Sequence, residues 1–77
     1  MDVRIEEIKV GDNSILNNKL LMDTPIRSEL GIIVIGIEKD GGEMIFNPPS
    51  DQLIESGNKL ITIGTLAQTE KLITMAG

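Results

Sequence analysis

The chain has no cysteine, no histidine, no tryptophan and no tyrosine, and Phe46 is its only aromatic residue. Each absence removes a class of function. Without cysteine there is no disulfide frame, no thiol chemistry and no thiolate metal site. Without histidine there is no imidazole base, and the common zinc sites go with it. Without aromatics there is no stacking platform for single-stranded RNA. Positive charge is also scarce. Seven Lys and Arg stand against twelve Asp and Glu, for a net charge of −5. Counterion release, which drives nucleic-acid binding, has little to act on, so no nucleic-acid partner is expected. No apolar run reaches the roughly 20 residues of a bilayer-spanning helix; the longest is Ile32–Ile37, which Gly36 interrupts. The residues after Met1 are acidic and polar, unlike a signal peptide.

What remains is 77 residues with 40% apolar content, enough for one small domain with an Ile, Leu, Val and Met core. A domain of this size buries only about 60% of its unfolded surface and is marginal alone. A small extracellular domain would usually carry disulfides, so their absence favours the cytoplasm.

Residues 3–10, VRIEEIKV, alternate as Val3, Ile5 and then as Ile8, Val10. Glu6-Glu7 shifts the phase between them, which predicts a strand with a bulge. Gly11–Ser14 is a turn cluster. Residues 15–23, ILNNKLLMD, fit one or two helical turns. Thr24-Pro25 restarts the chain: Thr24 caps, Pro25 suits the first helical position, and Gly31 ends a short helix over 25–30. Residues 32–38, IIVIGIE, are a continuous β-branched run, which predicts a strand covered on both faces, with a bulge or close approach at Gly36. Asp40-Gly41-Gly42 is a hairpin turn and 43–46 its return strand. Pro48-Pro49 stop that strand, and Gly57 turns the chain into 59–64, KLITIG. There Leu60, Thr62 and Gly64 share one face, and Ile61 and Ile63 the other. Thr65 and Gln68 stand at capping-box spacing before a terminal helix. Leu66, Ile73 and Ala76 predict its buried face, broadened by Leu72. The order implies an α+β fold: a small two-layer domain with a mixed, mostly antiparallel sheet, short helices and a C-terminal helix.

Candidate chemistry is sparse. Glu6-Glu7 point to opposite faces of a strand and form no cation cage unless a bulge turns them. Asp12-Asn13-Ser14 lack the spacing of a calcium loop and its terminal Glu. Gly57 stands alone, so NPPSDQLIESG is neither a P-loop nor a dinucleotide loop. Arg27, with Glu29 nearby, is either a surface ion pair or an anion clamp, since its planar fork suits phosphate or carboxylate. No catalytic residue and no metal site is expected, and the chain does not read as an enzyme.

From Ser14 to Gly64 the pattern resembles the TrkA-C domain, the C-terminal domain of RCK-type regulators of potassium transport. An opening strand leads to a short helical segment near Lys19-Leu20. IRSELG runs into a hydrophobic strand ending near GIEKDGG. The proline-bearing NPPSDQLIESG follows, then a strand ending in Gly64. Gly57-Asn58 stands where the family usually has Gly-Asp. The resemblance implies one regulatory, ligand-sensing domain over residues 1–77, a fragment of a larger protein, on the cytoplasmic side of the cell membrane. It implies a homodimer. It also implies two further partners, a Rossmann-like RCK N-terminal domain and the membrane pore of a potassium channel or uptake system gated by conformational change. No cofactor is implied, but some family members bind cyclic di-AMP between paired subunits. By position that pocket falls on Leu21, Met22, Ile26, Arg27, Ile32, Ile33 and Pro49. Those binders tend to place polar side chains, notably Asn, just after the helix; Ile32-Ile33 here suit an apolar dimer seam. Two other readings stand beside this one: a purely structural dimerisation module, and the same domain in another cation or anion transporter.

Overall fold

A computed structural model describes residues 2–77. Six strands and two α-helices follow in order: β1 (Val3–Lys9), β2 (Lys19–Leu20), a 3₁₀ turn (Leu21–Asp23), α1 (Pro25–Ser28), β3 (Ile33–Glu38), β4 (Met44–Phe46), β5 (Leu53–Ile54), β6 (Lys59–Thr65) and α2 (Leu66–Ala76). Four strands form a sheet in the order β1-β6-β3-β4, and β2 and β5 form a separate two-stranded ribbon. Every ladder is antiparallel. This is the small α+β domain the pattern predicts.

β6 lies at the centre and pairs along its length with β1 on one side and β3 on the other. Its alternation sorts the sheet into two faces. Leu60, Thr62 and Gly64 are buried, while Ile61 and Ile63 are only half covered. One contiguous core collects on the buried side. It joins Ile8, Val34, Ile37 and Leu60 of the sheet to Leu16, Leu21, Ile26, Ile54, Leu72 and Ala76 from the loops, ribbon and helices.

The second face has no cover within the chain. This corrects the expectation that β3 is enclosed on both sides. Val34 and Ile37 are buried, but Ile33 is 59% exposed. The expected bulge at Glu6-Glu7 is also absent. β1 runs in unbroken register from Val3 opposite Thr65 to Lys9 opposite Lys59. The phase change in its sequence instead marks a change of face. Val3 and Ile5 point to the open side, Ile8 to the core. The bulge at Gly36 is present: register shifts between Val34 and Gly36, leaving Ile35 as the extra residue against β6. A Cβ at Gly36 would lie 2.9 Å from Met44 Sδ, so the glycine lets Met44 lie over β3.

Three more expectations are revised. Residues 15–23 form turns, the short β2 and a 3₁₀ turn rather than a helix over their length. Local polar groups compete with the helix there. Ser14 Oγ donates to Met75 O at 2.7 Å, Asn17 Oδ1 accepts from Ser56 N at 2.9 Å, and Asn18 is left-handed at φ 64°. The connector after Pro49 contains β5, which a two-residue strand does not announce in sequence. The buried face of α2 is Thr69, Leu72 and Ala76, while Leu66 and Ile73 are exposed. Its start is as predicted. Thr65 Oγ1 accepts from Gln68 N at 3.2 Å, and Thr65 N donates to Gln68 Oε1 at 2.8 Å, a complete capping box.

Two positions give direct tests. The hydroxyls of Thr62 and Thr69 are buried with no hydrogen-bond partner. Removing an unpaired buried polar group recovers its desolvation cost, so Thr62→Val should raise stability by about 1 kcal/mol. The check is a higher urea midpoint at unchanged m-value. Gly57 holds φ 86° beside the Asp40 carboxyl, 3.3 Å from where a Cβ would sit. Gly57→Ala should lower stability by about 1–2 kcal/mol in the same assay, the cost of a left-handed non-glycine residue.

Candidate ligand-binding site

The residues around α1 are placed by main-chain docking rather than by a long element. Leu21 N donates to Gln52 O and Met22 N to Ser50 O, both at 2.8 Å. These two bonds lay the 3₁₀ turn against the segment following the prolines. Thr24 then turns the chain. Its Oγ1 donates to Leu21 O at 2.8 Å and accepts from Ile26 N at 3.4 Å. Pro25 occupies the first helical turn, where its missing N–H costs nothing. Ile26 fills the core, and the next residue, Arg27, points back across the gap. Its Nη2 donates to Pro48 O at 3.0 Å. The helix is shorter than the 25–30 expected: it ends at Ser28 with Glu29 as its C-cap, and Gly31, left-handed at φ 71°, turns the chain beyond it, where Ile32 N closes on Ile26 O at 3.0 Å.

The result is an open groove of about 300 Å³ lined by Leu21, Met22, Thr24, Arg27, Ser28 and Ser50. Arg27 is half-buried and forms no ion pair among the described residues, with Glu29 or any other acid. Of the two readings of Arg27, the surface ion pair is therefore not the one formed. One guanidinium nitrogen is held by Pro48, and the remaining donors are free. The hydroxyls of Ser28 and Ser50 flank it on exposed backbone. Met22, 58% exposed, gives the groove an apolar edge. A fixed cation with hydroxyl donors and an apolar wall suits a ligand with an anionic group and a flat apolar part. The volume is at the lower end for a small-molecule site, as expected of a groove open on one side.

The seven residues singled out by position are divided by the fold. Leu21, Met22 and Arg27 share the groove. Pro49 is exposed beside Ser50, while its neighbour Pro48 is buried and supplies the carbonyl that holds Arg27. Ile26 and Ile32 are core residues. Ile33 lies on the open face of the sheet, in a shallow groove of about 200 Å³ with Val3, Gly31, Ile63, Gly64, Thr65 and Gln68. Sequence reasoning did not find Ser28 and Ser50. Ser50 arrives through the pairing of β2 with β5, which carried no visible signal. No group of three or more His, Cys, Asp or Glu able to hold a metal ion occurs among the described residues. No helix among them is long and apolar enough to cross a membrane.

Comparison with known proteins identifies the family of the fold. A model of the TrkA-C domain family matches residues 5–77. Potassium channel protein 1 of Methanocaldococcus jannaschii is 39% identical over 72 residues, covering 94% of this chain and 20% of the relative. The chain thus spans about a fifth of the length of that curated relative. Among solved structures, the RCK C domain of the potassium transport protein KtrA in complex with cyclic diadenosine monophosphate superposes with a TM-score of 0.81 at 29% identity, over 94% of this chain and 81% of that one. The RCK_C domain dimer of S. agalactiae BusR in complex with c-di-AMP gives a TM-score of 0.84 at 21% identity, over 97% and 91%. The GsuK channel bound to NAD gives 0.78 at 20% identity, over 96% and 13%. The last two likenesses show the fold alone. With the family model spanning the sheet, the ribbon and both helices, this chain belongs to the TrkA-C domain family.

Proposed function

We propose that this chain is a regulatory domain of a potassium channel or potassium uptake system, working as a pair on the cytoplasmic side of the membrane. The observation that carries the reading is Arg27: a half-buried guanidinium with no acidic partner, anchored to Pro48 O and open to a groove. A cation held in this way is preorganised for an anionic effector. Two such half-open grooves facing each other across a dimer would double the enclosed volume and supply two arginines to one ligand. A cyclic dinucleotide with two phosphates and two bases fits that description. The KtrA complex with c-di-AMP supports the choice of probe.

The mechanism is a shift of population between arrangements of the pair. An effector that binds one arrangement better favours it by its difference in affinity, and the attached Rossmann-like domain and pore follow. The family match and the potassium-channel relative support the regulatory role over a catalytic one. A second reading, a ligand-free dimerisation module, draws support from Ile33, apolar and exposed where cyclic di-AMP binders tend to carry Asn.

Isothermal titration with cyclic di-AMP separates the two. The expected outcome is saturable binding at one ligand per two chains. Arg27→Ala should weaken it at least about tenfold, the usual loss of a charge-assisted hydrogen bond. Arg27→Lys should rescue only part, because an ammonium cannot hold Pro48 O and a phosphate with one planar fork. An intact pair giving no heat with cyclic di-AMP, and none with NAD as a comparison ligand, would leave the ligand-free module as the function.

A further inference from the structure

The Arg27 groove continues into a second hollow of opposite charge. That hollow, also about 300 Å³, is lined by Met22, Asp23, Thr24, Pro25, Ser28 and Glu29. It shares Met22, Thr24 and Ser28 with the Arg27 groove. Helix geometry explains the division. Thr24 and Ser28 stand four residues apart and form a ridge along α1. Arg27 precedes Ser28 and Glu29, still in the right-handed helical region, follows it. Each is rotated about 100° from the ridge, so the two side chains leave on opposite flanks.

The acids on the second flank are free. Asp23 and Glu29 are exposed, and neither forms an ion pair among the described residues. Lys19 shares a further hollow with Asp23 and does not pair with it. The floor between the flanks offers few competing groups. The Thr24 hydroxyl is committed to Leu21 O and Ile26 N, and Met22 and Pro25 are apolar. This polarity restricts the ligand. A bare phosphate or carboxylate gains Arg27 but is repelled by the acids across the ridge. A ligand held by both flanks carries an anion at one end and N–H donors at the other, with a flat apolar part to cross Met22 and Pro25. Two carboxylates suit one amino group, whose two N–H bonds each need an acceptor, as on the exocyclic nitrogen of adenine. A carbonyl at that position would set lone pairs against carboxylate oxygens.

We propose that Asp23 and Glu29 are the specificity-determining residues of this site, accepting from the exocyclic amino group of an adenine whose phosphate lies on Arg27. The inference rests on the effector reading above and names the residues that choose the effector's base.

The test compares two ligands that differ on that base edge alone. Cyclic di-IMP keeps the phosphates and ring system of cyclic di-AMP, replaces each amino group by a carbonyl and protonates the adjoining ring nitrogen. In isothermal titration the unaltered chain should bind cyclic di-AMP at least about tenfold tighter than cyclic di-IMP, the scale of one charge-assisted hydrogen bond. The double variant Asp23→Asn, Glu29→Gln keeps the shapes and removes both charges. An amide donates as well as accepts, so the preference should collapse toward equality. Both positions are exposed, so the urea midpoint should not move. Arg27→Ala should weaken both ligands by one factor and leave the preference intact. Equal affinity of the unaltered chain for the two ligands, a preference for cyclic di-IMP, or a preference that survives in the double variant would each overturn the assignment while the effector reading stands. Binding of neither ligand removes both.

Discussion

β6 is the strand on which the rest of the molecule depends. It holds β1 through seven consecutive pairs and β3 through five, and its last residue, Thr65, caps α2. Its inward residues, Leu60 and Thr62, form the floor on which Leu72 and Ala76 rest. Its outward residues, Ile61 and Ile63, lie in the middle of the open face. One seven-residue alternation therefore fixes both the core and the apolar exterior. A slip of one residue would put Ile61 and Ile63 inside and leave Leu60 and Thr62 outside, which the core contacts of Leu60 forbid.

A chain of 77 residues has limited means to cover a sheet. α2, α1 and the β2–β5 ribbon all gather on one side, because a single core is what so short a chain can close. The other side keeps its isoleucines. Polar side chains there would have made a self-sufficient antiparallel domain with one wet face. The isoleucines present instead leave that face apolar and open.

The long alternating and capped segments were legible in the sequence. KLITIG sorted itself into faces, Gly36 announced its bulge, and Thr65 with Gln68 announced the capping box, because each signal lies within a few residues. What depended on distant partners was not legible. The phase change around Glu6-Glu7 read as a bulge, since only pairing with β6 reveals that both faces of β1 are used. Leu66 and Ile73 outranked Thr69 by hydrophobicity, but the smaller residue sits where helix and sheet approach closely. β2 and β5 are two residues each, too short for any period, yet their pairing brings Ser50 to Met22. The candidate site was legible mainly through resemblance. Arg27 alone has no motif, and its significance rests on forming no ion pair among the described residues, which is a tertiary fact.

The groove and the open face meet at one short stretch. Arg27 to Ile33 spans seven residues, and the main-chain bond from Ile32 N to Ile26 O fastens the start of β3 to the body of α1. Gly31 between them is the one residue of the junction with a left-handed backbone, and its side faces Gln68 of α2. Any movement of α1 would therefore pass to the start of β3 through that bond. On the proposed reading effector binding and pairing are thermodynamically linked. Whatever factor the effector adds to pairing, pairing adds to effector affinity. The hydrogen bond to Pro48 sets a limit on that coupling. It holds the guanidinium near its bound position before any ligand arrives, so little free energy is consumed in moving the side chain. More of the binding energy then remains to shift the α1–β3 junction and the arrangement of the pair.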